Sequence, residues 1–278
     1  MNKGVISVLV AYLIWGLYPF YFHAMQHVAP AEIVIHRVLW TFALLAVYLF
    51  CSRRWRWIQK AVTDKRTVAV FLMSSALITA NWSTYTYAIV TNQTLEASLG
   101  YFMNPLVSVL LGTVFLKEKL NKAQMLAIIF ACAGVMWVTF KQGEFPALGL
   151  TLALTFGFYG LVRKMAPLGS LEGLTLETAF AFPVALLATF YFAGNGDLTF
   201  VNGTGWDKFW LIAAGPITTI PLILFAYGLK QVRYSTVGFI QYLSPTMVFF
   251  IGLFFFGEEL QVDPVSYTHL TLPTILLV

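Results

Sequence analysis

Hydrophobic positions along this chain come in long blocks separated by short polar links. The apolar runs cover 4–26, 31–50, 67–90, 95–116, 123–140, 147–163, 171–193, 209–229 and 234–256. Each approaches the ~20 helical residues that cross a hydrocarbon core of ~30 Å. The pattern predicts nine membrane-spanning helices, the first an uncleaved span rather than a secretory signal.

The fourth and ninth runs are copies. Residues 96–120, EASLGYFMNPLVSVLLGTVFLKEKL, return as 236–260, TVGFIQYLSPTMVFFIGLFFFGEEL, without a gap. Pro105 meets Pro245, Gly112 meets Gly252, Glu118 meets Glu258, and Tyr87 meets Tyr227 in the same register. An odd number of crossings separates the copies, so the two halves run in opposite directions, as in the inverted repeats of secondary transporters. The expected architecture is all-α integral membrane, with repeats over 1–141 and 145–263.

Composition agrees with this reading. Hydrophobic residues form 59% and charged residues 10% of the 278, which leaves no room for a separate soluble domain. Of the 17 Lys and Arg, those at 3, 53–66, 117–122, 163–164 and 230–233 fall on one side if the N-terminus is cytoplasmic. Lys141 and Lys208 fall outside, and Arg37 alone lies within a span. The +5 charge therefore reads as a topology signal facing membrane lipid, and not as a nucleic-acid groove. Cys51 and Cys132 have no ligand-spaced partners, so neither a disulfide frame, a metal site nor a cofactor is expected.

Polar residues inside lipid are expensive and mark cavities or helix contacts. Span 2 carries His36 and Arg37, span 3 Asn81, Trp82 and Tyr85, and span 4 Tyr101 and Asn104 just before Pro105. Span 6 carries Tyr159, span 7 Glu177, and span 9 Gln241, Tyr242 and Ser244 just before Pro245. Proline frees a carbonyl four residues upstream, so the mirrored prolines predict a break in each half with a site between spans 4 and 9. Asn104 and Ser244 either serve that site or repair kinks. Arg37 either snorkels outward or lines an outer vestibule. Glu177 either couples protons or is simply hydrated, and the difference in depth argues against an Arg37–Glu177 pair. Trp15, Trp82 and Tyr85 are path-lining or packing residues.

The unit EASLGYFMNP/TVGFIQYLSP with its trailing Glu, the Asn81-Trp82 pair with Tyr85 and Tyr87, and the opening AYLIWGLYPFYF with HRVLW resemble the EamA type of the drug/metabolite transporter superfamily. Within it they resemble the RarD group. The resemblance spans about residues 4–262 and implies a ten-helix inverted-repeat permease of the bacterial cytoplasmic membrane. It implies small metabolites or drugs as cargo, sometimes described through chloramphenicol sensitivity, and no catalytic residue. The sequence leaves a passive channel or a non-transporting scaffold open. An intramembrane enzyme lacks a nucleophile and base at facing positions, and a primary pump lacks its phosphate loop. The run at 264–278 departs from the family: it is too short and too proline-broken for the tenth helix and reads as a non-native tail.

Overall fold

The computed structural model describes residues 2–90, 94–142 and 145–255. Among the described residues every regular element is a helix: α1 (Lys3–Gly16), α2 (Tyr18–Ala24), α3 (Pro30–Ser52), α4 (Arg56–Thr63), α5 (Lys65–Val90), α6 (Thr94–Phe115), α7 (Lys122–Gln142), α8 (Ala147–Met165), α9 (Ser170–Gly194), α10 (Thr199–Asn202), α11 (Gly205–Leu229), α12 (Tyr234–Gln241) and α13 (Leu243–Phe255). All nine apolar runs are helical. Among the described residues seven stretches are long and apolar enough to cross a membrane: Lys3–Ala24, Pro30–Ser52, Lys65–Ala88, Ala97–Phe115, Ser170–Gly194, Gly205–Leu229 and Tyr234–Phe255. The remaining two are α7, apolar over Lys122–Trp137, and α8, with 19 residues. The tail at 264–278 and Glu258 lie outside the described residues.

Local chemistry sets the helix ends. Pro30 opens α3, where a missing N–H costs nothing. Thr204 and Asp207 form a reciprocal capping box at α11. Arg53 closes α3 in the left-handed region at φ 54°. The short α4, with Trp57 half-buried and Ala61 buried against Phe71, occupies a stretch expected to be an irregular basic link. Eight residues of mixed polarity are too few to stand out by periodicity.

The prolines act differently from expectation. α6 runs through Pro105 without interruption, whereas the ninth run divides at Tyr242 into α12 and α13. The first run divides as well, at Leu17, with Pro19 at the start of α2. The mirrored break is therefore present in one half only. A helix tolerates an internal proline when neighbours occupy the freed backbone groups, and α6 lies between α8 and α12.

The main packing pairs are α6 with α8 and α12, α11 with α1 and α3, α5 with α8 and α9, and α3 with α9. At the α6–α8 crossing, a Cβ on Gly100 would stand 2.8 Å from the Gly149 carbonyl oxygen, so only glycine permits this backbone approach. Tyr12, Tyr159, Phe225 and Tyr234 anchor the largest buried cluster.

Candidate functional site

The predicted polar residues fall into separate groups. The first surrounds Arg37, which α3 presents toward α5 and α11. Its Nε donates to Thr218 Oγ1 at 3.0 Å, and its guanidinium lies 4.3 Å from the Trp82 ring centroid and 6.0 Å from that of Tyr18. The aromatic wall continues through Phe22, 6.2 Å from Tyr85, to Tyr101, 5.9 Å beyond it. Arg37 thus points into an aromatic cluster and does not snorkel. Tyr18, Arg37, Trp82 and Tyr85 are half-buried, and Tyr101 is exposed. Among the described residues no carboxylate lies within ion-pair distance of Arg37.

The second group centres on Glu177, which is 2% exposed. It is buried in the bundle and does not meet Arg37. Its Oε1 pairs with Arg163 Nε at 3.3 Å and accepts from Ser74 Oγ, while Oε2 accepts from Tyr159 Oη at 3.3 Å. Arg163, expected to be a loop charge, is 1% exposed. It donates through Nη2 to Ser170 O and lies over Phe71. The bare face of Gly173 makes room for its guanidinium, where a methyl group would collide. Sequence reasoning grouped Arg163 with Lys164 as a basic link. The available signal was Glu177, since a carboxylate buried this deeply requires a counter-charge.

The third group lies where α6 crosses α12. These helices touch: a Cβ on Gly238 would stand 2.9 Å from the Pro105 carbonyl oxygen. Ser108 Oγ bonds to Gln241 Oε1 at 3.3 Å and to Tyr234 Oη at 3.4 Å. Asn104 Oδ1 and Tyr242 Oη are buried without hydrogen-bond partners. Asn81 belongs elsewhere, donating to Leu152 O at 2.9 Å and Thr155 Oγ1 at 3.0 Å, which ties α5 to α8. Trp15 packs edge-on against Tyr12, Phe156 and Phe225. His36 accepts from Trp40 Nε1 at 2.9 Å, and its Nε2 lies 3.8 Å from Glu32 Oε1.

A small cavity of about 10 Å³ lies between the first two groups, lined by Val38, Ile78, Trp82, Tyr159, Glu177 and Leu222. That volume is at the lower limit for one water.

The basic residues at the helix ends close carbonyls. Lys164 Nζ donates to Leu229 O at 2.7 Å and Val232 O at 2.5 Å, and Lys230 Nζ donates to Ala166 O at 2.8 Å and to Leu168 O. α8 and α11 thus cap one another where cations suit the helix dipole. Burial pushes the Lys230 ammonium down, and Arg163 adds to that. Glu118 accepts from the N–H of Tyr234 and of Ser235, both at 2.7 Å, and from Ser235 Oγ at 2.6 Å. Burial opposes its ionisation, but these bonds and the Lys164 charge together hold the carboxyl below its ordinary value.

This bundle resembles known transporters. The EamA-like transporter family matches residues 2–140 and 146–278. An uncharacterized transporter of Pseudomonas aeruginosa is 39% identical over 94% of this chain and 88% of its own length. Protein RarD of Escherichia coli is 37% identical over 94% and 88% respectively. A solved crystal structure 14% identical in sequence has a TM-score of 0.71 over 99% of this chain and 98% of its own, which shows a shared fold. On this evidence the chain is a multi-pass protein of the bacterial inner membrane and belongs to the EamA-like transporter family, as a RarD-type permease.

Proposed function

We propose that the protein is a secondary transporter that moves small metabolites or drugs by alternating access, along a path from the Arg37 aromatic cluster past Trp82 toward Glu177. The cavity between these groups carries the reading. It is lined by residues of both, and at about 10 Å³ it is too small for continuous water, as an occluded carrier requires and an open pore does not.

The pairing of helices supports two inverted five-helix halves. If α1, α3, α5 and α6 correspond to α8, α9, α11 and α12–α13, the main contacts have exchanged counterparts. The pair α1–α11 maps onto α8–α5, α3–α11 onto α9–α5, and α6–α8 onto α12–α1, while α3–α9 and α6–α12 map onto themselves. Such exchange is what alternating access by rocking one repeat against the other needs. Glu177 is the coupling group in this reading. Protonation would release Arg163 and loosen the junction of α8, α9 and α5.

Counterflow in proteoliposomes, using amino acids, nucleosides and phenicols as a panel, tests the proposal. Saturable counterflow of at least one solute is expected. Non-saturable flux without counterflow would make the protein a passive channel, and no flux at all a scaffold. Glu177→Gln should retain exchange but lose accumulation driven by a pH gradient.

A further inference from the structure

Resting on that reading of the path, we propose that Arg37 is the recognition site for an anionic group on the cargo, so that the solutes bound are organic anions carrying a flat apolar moiety. Arg37 lies well inside a membrane span, and its charge meets no carboxylate among the described residues; the buried Arg163 has Glu177, and Lys164 and Lys230 have carbonyls. A guanidinium has five donors in a planar fork. Here Nε alone is engaged, by the neutral hydroxyl of Thr218, which leaves the Nη edge for a bidentate carboxylate or phosphate.

Position points the same way. Arg37 is seven residues from the start of α3, or ~10 Å at 1.5 Å per residue, deep enough that an unpaired charge is costly. Trp82 covers one face of the guanidinium at 4.3 Å. This fixes its plane and offsets part of the desolvation, but supplies no counter-charge. Tyr85 and Tyr101 extend the aromatic surface away from it, and Tyr101 is 45% exposed. A charged head at Arg37 therefore leaves the rest of a flat solute against rings. Were Arg37 only a strut between α3 and α11, a neutral donor would hold Thr218 as well.

Phenylacetate, phenylacetamide and phenethylammonium share one ring and differ in charge. Their binding to the full chain in nanodiscs, measured by saturation-transfer NMR, tests the assignment. Phenylacetate should bind roughly 10–100-fold more tightly than the amide, the range for charge-assisted hydrogen bonds, and phenethylammonium should bind most weakly. Arg37→Gln should abolish the preference, and Arg37→Lys should keep part of it, as a point charge without the fork. Equal binding of acid and amide, no binding of phenylacetate, or a preference that survives Arg37→Gln would each overturn the proposal. If Arg37→Gln does not fold, the comparison of acid with amide on the unaltered protein and on Arg37→Lys decides.

A lipid phosphate is the other source of such an anion. Phenylacetate affinity should be equal in phosphate-free maltoside micelles and in phosphatidylcholine discs; competitive loss in the latter would assign the site to lipid phosphate and overturn the cargo reading. Counterflow separates this proposal from the transport reading. Binding through Arg37 without flux of any solute would remove the transporter and leave the anion site. Saturable counterflow by the unaltered protein with equal binding of acid and amide would do the reverse.

Discussion

Arg163 and Glu177 form a 3.3 Å ion pair in which both side chains are almost wholly buried, and the pair joins the end of α8 to α9. Removing one member leaves a buried charge unpaired. Arg163→Met and Glu177→Leu alone should each destabilise the protein by about 3–5 kcal/mol. The double variant should cost much less than the sum, because it leaves no orphan. Equilibrium unfolding in micelles, arranged as a double-mutant cycle, measures the coupling.

Glu118 gives a pH dependence with a definite sign. Its folded-state carboxyl lies below the ordinary 4.5. It therefore adds stability that is fully present above about pH 4.5 and lost as pH falls through the folded value. Unfolding of the unaltered protein and of Glu118→Gln, compared from pH 6 to pH 3, should show a gap that closes at the acid end.

Gly160 faces the hydroxyl of Tyr234, where a methyl group would collide. Gly160→Ala should cost about 1–3 kcal/mol as overpacking between α8 and α12. Tyr234→Phe in the same chain should recover part of the loss, since it removes the colliding atom. That recovery must exceed the cost of losing the bond to Gly157 O, 2.6 Å in length. Melting midpoints of the two single variants and the double variant settle the order.

The polar groups of the path should separate by role. Tyr85→Phe and Tyr101→Phe should reduce flux several-fold, with membrane abundance nearly unchanged. Asn81→Ala should instead lower abundance, because it cuts a tie between α5 and α8 worth about 0.6–2 kcal/mol in a membrane. Quantitative blots alongside counterflow rates distinguish the two patterns.

Topology is tested by single cysteines in a Cys51→Ser, Cys132→Ser background. Asn202→Cys, in an exposed link, should react with an impermeant maleimide on intact cells. Ser52→Cys should react only after lysis. The opposite pattern would invert the bundle.

Positions of the long helices were legible because apolar length alone decides them. What periodicity could not show was which charges face inward. Arg163 and Lys164 are adjacent at one helix end, yet one is buried beneath Gly173 and the other reaches the carbonyls of α11. That division depends on neighbours from three other helices. Pro105 and Pro245 hold matching positions in the repeat, yet only the second region breaks, since a helix's answer to proline depends on what packs around it. The aromatic surroundings of Arg37 were equally out of reach, because Tyr18, Trp82 and Thr218 come from three separate spans. Trp15 was legible as path-lining or packing, and Asn81 as polar but not as a tethering group.

The Glu118 cap also bears on how the chain is made. Glu118 is synthesised more than a hundred residues before Tyr234 and Ser235, whose amides it receives. During insertion the first half must wait with this carboxylate solvated among its lysines, and α12 has no equivalent acceptor of its own at that end. The later half thus reaches a finished helix start only by docking onto the earlier one. Co-expressed as two separate polypeptides, the halves should assemble with an order of dependence: the second should be degraded without the first more readily than the first without the second.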